Sequence, residues 1–169
     1  KGINFTPSGA AQLVVRNTSI DNQNAATAVG IAIAPGAAGS ANVVLDDVRV
    51  ERALTGIVVT DRSKVLVRRS TVAGSTNNGV LVSAPTAASS VVIEDSTISG
   101  GTSNVVTVAG VRADGAQALV TLSNVTIANN ASNGVFENGG QIQSFGNNRI
   151  VGNNPNIAAG TTLAVVVQN

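Results

Sequence analysis

One eight-residue pattern recurs along nearly the whole chain, and a repeat of this kind constrains the fold more than any local propensity. Five segments align without gaps: Leu13–Ile20 (LVVRNTSI), Val43–Val50 (VVLDDVRV), Val65–Val72 (VLVRRSTV), Val91–Ile98 (VVIEDSTI) and Val120–Ile127 (VTLSNVTI). A sixth, Gln143–Ile150 (QSFGNNRI), keeps the apolar third and eighth positions. Successive starts lie 30, 22, 26, 29 and 23 residues apart. Each of the first five is followed by a glycine and a second short run: GIAIA at Gly30, GIVVT at Gly56, GVLVS at Gly79, GVRAD at Gly110 and GVFEN at Gly134. The opening GINFT at Gly2 matches that second run, so the sequence begins halfway through a repeat unit. We therefore expect residues 1–169 to form a single domain that is the C-terminal part of a longer chain, with a truncated N-terminus and a natural C-terminus.

The residues within the runs favour strands. Val, Ile and Thr dominate them, and Asn-Asn, Asn-Gly, Gly-Gly and Pro-Gly pairs punctuate them as turns. The third position of each unit holds Val15, Leu45, Val67, Ile93, Leu122 and Phe145, and the eighth holds Ile20, Val50, Val72, Ile98, Ile127 and Ile150. No single unit can bury these side chains. Units stacked at ~4.8 Å place each beside its equivalent above and below, which builds a solenoid cored by aliphatic columns. A β-sandwich does not require equivalent positions to recur six times.

Composition excludes several kinds of chemistry. Lys and Arg number 10 against 9 Asp and Glu, a formal charge of +1 that supplies no attraction for nucleic acid or an anionic membrane. The chain has no His, which removes the commonest general base and metal ligand, and no Cys, which removes disulfides and thiol nucleophiles. Trp and Tyr are also absent, so the usual stacking platforms for sugars and bases are missing. No apolar run approaches the ~20 residues a membrane-spanning helix needs. No cofactor, metal, nucleic-acid partner or membrane insertion is expected.

Coils of 22 to 30 residues, with an alternating aliphatic strand followed by a Gly-hydrophobic strand, resemble the right-handed parallel β-helix repeat of pectate-lyase-like proteins. The resemblance covers about residues 1–150 and implies an all-β, single-stranded right-handed parallel β-helix of about six coils. Left-handed β-helices follow a stricter hexapeptide period. The family includes lyases, hydrolases, epimerases, tailspikes and non-catalytic surface proteins, so the motif speaks to fold far more than to activity. The ending Ser144-Phe145-Gly146-Asn147-Asn148-Arg149-Ile150, with Gly152-Asn153, resembles the last coil of bacterial secreted members without assigned activity.

Across successive units the fourth position reads Arg16, Asp46, Arg68, Glu94, Ser123 and the fifth reads Asn17, Asp47, Arg69, Asp95, Asn124. Where charged, both rows alternate in sign, which is what stacked coils need to avoid like-charge columns. The competing reading takes Asp46, Asp47, Arg68, Arg69, Glu94 and Asp95 as the active site of a polysaccharide lyase or hydrolase acting on acidic polysaccharide, by resemblance to enzymes of this fold. Yet Asp46 and Glu94 stand two coils apart, roughly 10 Å, with an arginine between them. A calcium site needs carboxylates that converge on one ion. A hydrolase pair at such a separation remains geometrically conceivable. A seventh-position row, Ser19, Arg49, Thr71, Thr97, Thr126, resembles the Thr ladders of ice-binding solenoids, with Arg49 interrupting it.

The second position should face outward, yet it reads Val14, Val44, Leu66, Val92, Thr121. An apolar outward row suits a partner or self-association surface. The expectation is a non-catalytic bacterial β-helix, secreted or displayed at the cell surface as a rigid scaffold. It would self-associate through the open first coil or through the Val14, Val44, Leu66, Val92 face, and polysaccharide is the other candidate partner. The alternatives are a carbohydrate-active enzyme and an ice-type surface binder.

Overall fold

The computed structural model describes residues 1–21 and 27–167. The chain opens with β1 (Ile3–Phe5), β2 (Ala10–Ile20), β3 (Val29–Ile33) and β4 (Ser40–Glu51). The next coils contribute β5 (Thr55–Thr60), β6 (Ser63–Arg68) and β7 (Thr71–Ala73), then β8 (Val80–Ser83), β9 (Ser89–Glu94) and β10 (Thr97–Ser99). They are followed by β11 (Ala109–Asp114), β12 (Ala118–Ser123) and β13 (Thr126–Ala128), then β14 (Asn133–Asn138), β15 (Gln141–Ser144) and β16 (Arg149–Val151), and finally β17 (Ala164–Val165). The glycine runs form one six-stranded parallel sheet, β1-β3-β5-β8-β11-β14. All other strands join a second sheet of 11 strands that wraps the remaining sides of each coil. The result is the parallel β-solenoid that the repeat predicts.

The aliphatic columns stand in the expected register. Val15, Leu45, Val67, Ile93 and Leu122 pair in succession. So do Ile20, Val50, Val72, Ile98, Ile127 and Ile150. Leu45, Ile93 and Leu122 are fully buried. The sixth coil departs from expectation: Ser144, not Phe145, lies opposite Leu122, and Ile142 lies opposite Val120. Gly146, at φ 81, takes the corner that Asn124 fills one coil earlier at φ 52. Ile150 still pairs with Ile127. One residue is therefore inserted after the corner, and a gap-free alignment has nowhere to put it.

The turns between strands give each coil its shape. The fifth position is left-handed in each of the first five units, with φ of 49 at Asn17, 54 at Asp47, 49 at Arg69, 48 at Asp95 and 52 at Asn124. Asn and Asp tolerate this conformation better than other side chains, which explains why four of these five positions hold them. The residue after the corner turns inward. There the Ser96 hydroxyl accepts the Ser70 amide at 3.0 Å and the Ser70 hydroxyl accepts the Val48 amide at 3.1 Å, so buried corner amides keep partners. Glycines of the six-stranded sheet serve a different purpose. From Gly2 to Gly110, an added Cβ would stand 2.6–2.9 Å from the carbonyl oxygen of the glycine in the next coil.

Candidate functional site

The charged rows and the apolar row share one face, carried by β2, β4, β6 and β9. Alternation along these strands points the third position inward and the second and fourth outward. Arg16 pairs with Asp46, Asp46 with Arg68, and Arg68 with Glu94 in strand register. Val14, Val44, Leu66 and Val92 form the parallel row beside them. A shallow trough of ≈ 630 Å³ runs over this apolar row, edged by Gln12, Asn42, Lys64 and Ser90. Among the four apolar residues Val14 is the most open at 55% exposed, and the others are half-buried.

Asp46 is the centre of the charge cluster. It is buried, and its carboxylate accepts from Arg68 Nη2 at 3.0 Å and from Arg69 Nη2 at 2.5 Å, with Arg16 Nε 3.9 Å away. Three guanidinium groups thus surround one carboxylate from three neighbouring positions. Charge-assisted contacts of this type are among the stronger hydrogen bonds in proteins. They engage both carboxylate oxygens and turn the group toward its own chain's arginines.

The other expected residues do not converge with it. Asp47 is exposed at the corner, and Asp95, also exposed, accepts from Asn124 Nδ2 at 2.7 Å. Glu94 is half-buried and takes part in none of the ion pairs among the described residues. The fifth-position row is accordingly not an ion-pair ladder: Arg69 leaves its row and turns to Asp46 in the preceding coil. Among the described residues no group of three or more carboxylates is placed to hold a metal ion. No helix among them is long and apolar enough to cross a membrane.

A further acid, with a structural role, lies between the repeat units. Asp61 sits in the turn after β5, where its oxygens accept from Thr86 Oγ1 at 2.5 Å, Thr86 N at 3.1 Å and Ala87 N at 2.9 Å. It ties down the loop after β8 in the coil above. Burial works to raise its pKa, but the hydrogen bonds from Thr86 and Ala87, helped by Arg62, win and hold it below the ordinary carboxylate value. Nothing in the spacing of Asp61 and Thr86 announces this contact. The fifth position, expected as a row of alternating charge, is instead a left-handed corner, for which its recurring Asn and Asp are suited.

Compared with known families, the sequence matches over residues 1–169 the family model described as a right handed beta helix region. Searches of curated proteins and of solved structures give no match.

Proposed function

The chain belongs to the right-handed β-helix family, and on that premise we propose that it is a non-catalytic bacterial scaffold, secreted or displayed at the cell surface, whose rigid rod presents a binding face. The observation that carries this reading is the state of Asp46. A general acid needs a proton to give, and a general base needs an open lone pair near its substrate. Asp46 is buried and both its oxygens are engaged by Arg68 and Arg69, with Arg16 nearby, so it is not placed to meet a substrate. The remaining acids of the cluster are spread along the corner and the coil edge without a common focus. The placement outside a bacterial cell draws on the closing Ser144–Asn153 motif, which resembles the last coil of secreted bacterial members.

The test is direct. The protein is incubated with polymers of uronic acids, and unsaturated products and new reducing ends are followed. No turnover above a buffer control is expected. Turnover that disappears in Asp46→Ala and in Arg68→Ala, while the fold persists by circular dichroism, would replace this reading with a polysaccharide lyase or hydrolase. Export is read separately, by detecting the protein in the culture medium or on intact cells of the native host.

A further inference from the structure

The scaffold reading leaves open what occupies the face formed by β2, β4, β6 and β9, and the order of its charges supplies an answer. Along the stacking direction the fourth-position row runs Arg16, Asp46, Arg68, Glu94, a sequence of plus, minus, plus, minus. Read in reverse, the same row runs minus, plus, minus, plus. We propose that this face pairs with the same face of a second copy of the chain, the two rods running in opposite directions about a two-fold axis parallel to the strands.

In that arrangement Arg16 of each copy meets Glu94 of the other, while Asp46 stays engaged by Arg68 and Arg69 of its own chain. The pairing occurs twice, as an isologous interface requires. The apolar row closes on itself as well, Val14 against Val92 and Val44 against Leu66. The other two-fold arrangement, with rods running the same way, sets the fourth-position row on the opposite edge of the trough and brings Arg68 onto Lys64. Its like charges disfavour it. The available charges match the first geometry: Arg16 has 64% of its side chain exposed and touches Asp46 only at 3.9 Å, and Glu94 lacks an ion-pair partner among the described residues. An apolar row flanked by groups still seeking partners fits a protein surface of the same make better than open water.

Four strands spaced ~4.8 Å apart give a small footprint, below the ~800 Å² per partner of a standard stable interface. The association is therefore weak and concentration-dependent. Sedimentation velocity over a concentration series tests it. Arg16→Glu and Glu94→Arg should each weaken dimerisation by about fivefold or more, as loss of two exposed pairs and gain of two repulsions implies. The double variant Arg16→Glu/Glu94→Arg should restore it, because the swapped charges again meet across the axis. The two residues lie three coils apart within one chain, so the restoration cannot arise inside a monomer. Val14→Lys, at a position open enough to leave the fold intact, should also weaken the dimer. A monomer at every concentration would overturn the proposal, as would a dimer indifferent to Val14→Lys or one that the charge swap fails to restore.

Discussion

An added Cβ at Gly79 would stand 2.5 Å from Cγ2 of Ile98, buried in the same coil, and 2.6 Å from the carbonyl oxygen of Gly110 in the next one. Neither can yield without moving a coil, so this glycine is needed for close approach and not for conformational freedom. Gly74 is the opposite case. Its φ of +63 demands the left-handed region, but the nearest atom to an added Cβ is 3.6 Å away. Arg52 and Asn129 occupy the same corner in their own coils at φ 51 and 55. Gly79→Ala is therefore expected to cost about 1–3 kcal/mol, as overpacking does, whereas Gly74→Asn should cost far less because Asn tolerates the left-handed region. Urea melts of the two variants check the order, and a reversal would mean that the stacking distance is set elsewhere. The glycine of each second run was legible from the sequence as a recurring sign. Its reason was not, because the clash lies with residues about 20 to 30 positions away.

Strands and corners were readable to different degrees. The inward columns follow from period-two alternation and were placed correctly through five units, since a one-residue slip would turn every aliphatic side chain outward. The sixth unit failed because Phe145 is the more apolar residue while Ser144 occupies the column, and hydrophobicity alone cannot detect an inserted residue after a turn. The charge rows were half legible: the fourth position stacks as expected, but the fifth is a left-handed corner whose Arg69 crosses to Asp46. The loop anchored by Asp61 was hidden for want of any pattern. Its depressed pKa has a consequence for stability. A carboxyl with a lower pKa folded than unfolded adds stability above the unfolded value of about 4 and loses it as pH falls through the folded value. Asp61→Asn should therefore flatten the acid limb of the stability profile below about pH 4 and leave the loop carrying Thr86 and Ala87 more open to hydrogen exchange. Unchanged exchange there would mean that the loop is held by packing instead.

At the scale of the whole molecule, each coil touches only the coils beside it, so stability is close to a sum of nearest-neighbour interfaces. Aliphatic columns supply most of each interface inside, and hydrogen-bonded corners supply the rest. On the outer face the same logic applies to charge: Arg16, Asp46, Arg68 and Arg69 tie three consecutive coils through one carboxylate. A group placed for catalysis commonly weakens the fold, and its removal leaves stability unchanged or improved. A group placed to join coils does the reverse. The equilibrium unfolding of Asp46→Ala in urea separates these cases. A loss of about 1.5–3 kcal/mol is expected, the range for hydrogen bonds to charged groups, with the transition still cooperative. Stability equal to or above that of the parent protein would contradict the structural role of Asp46, and with it the scaffold reading of the charged face.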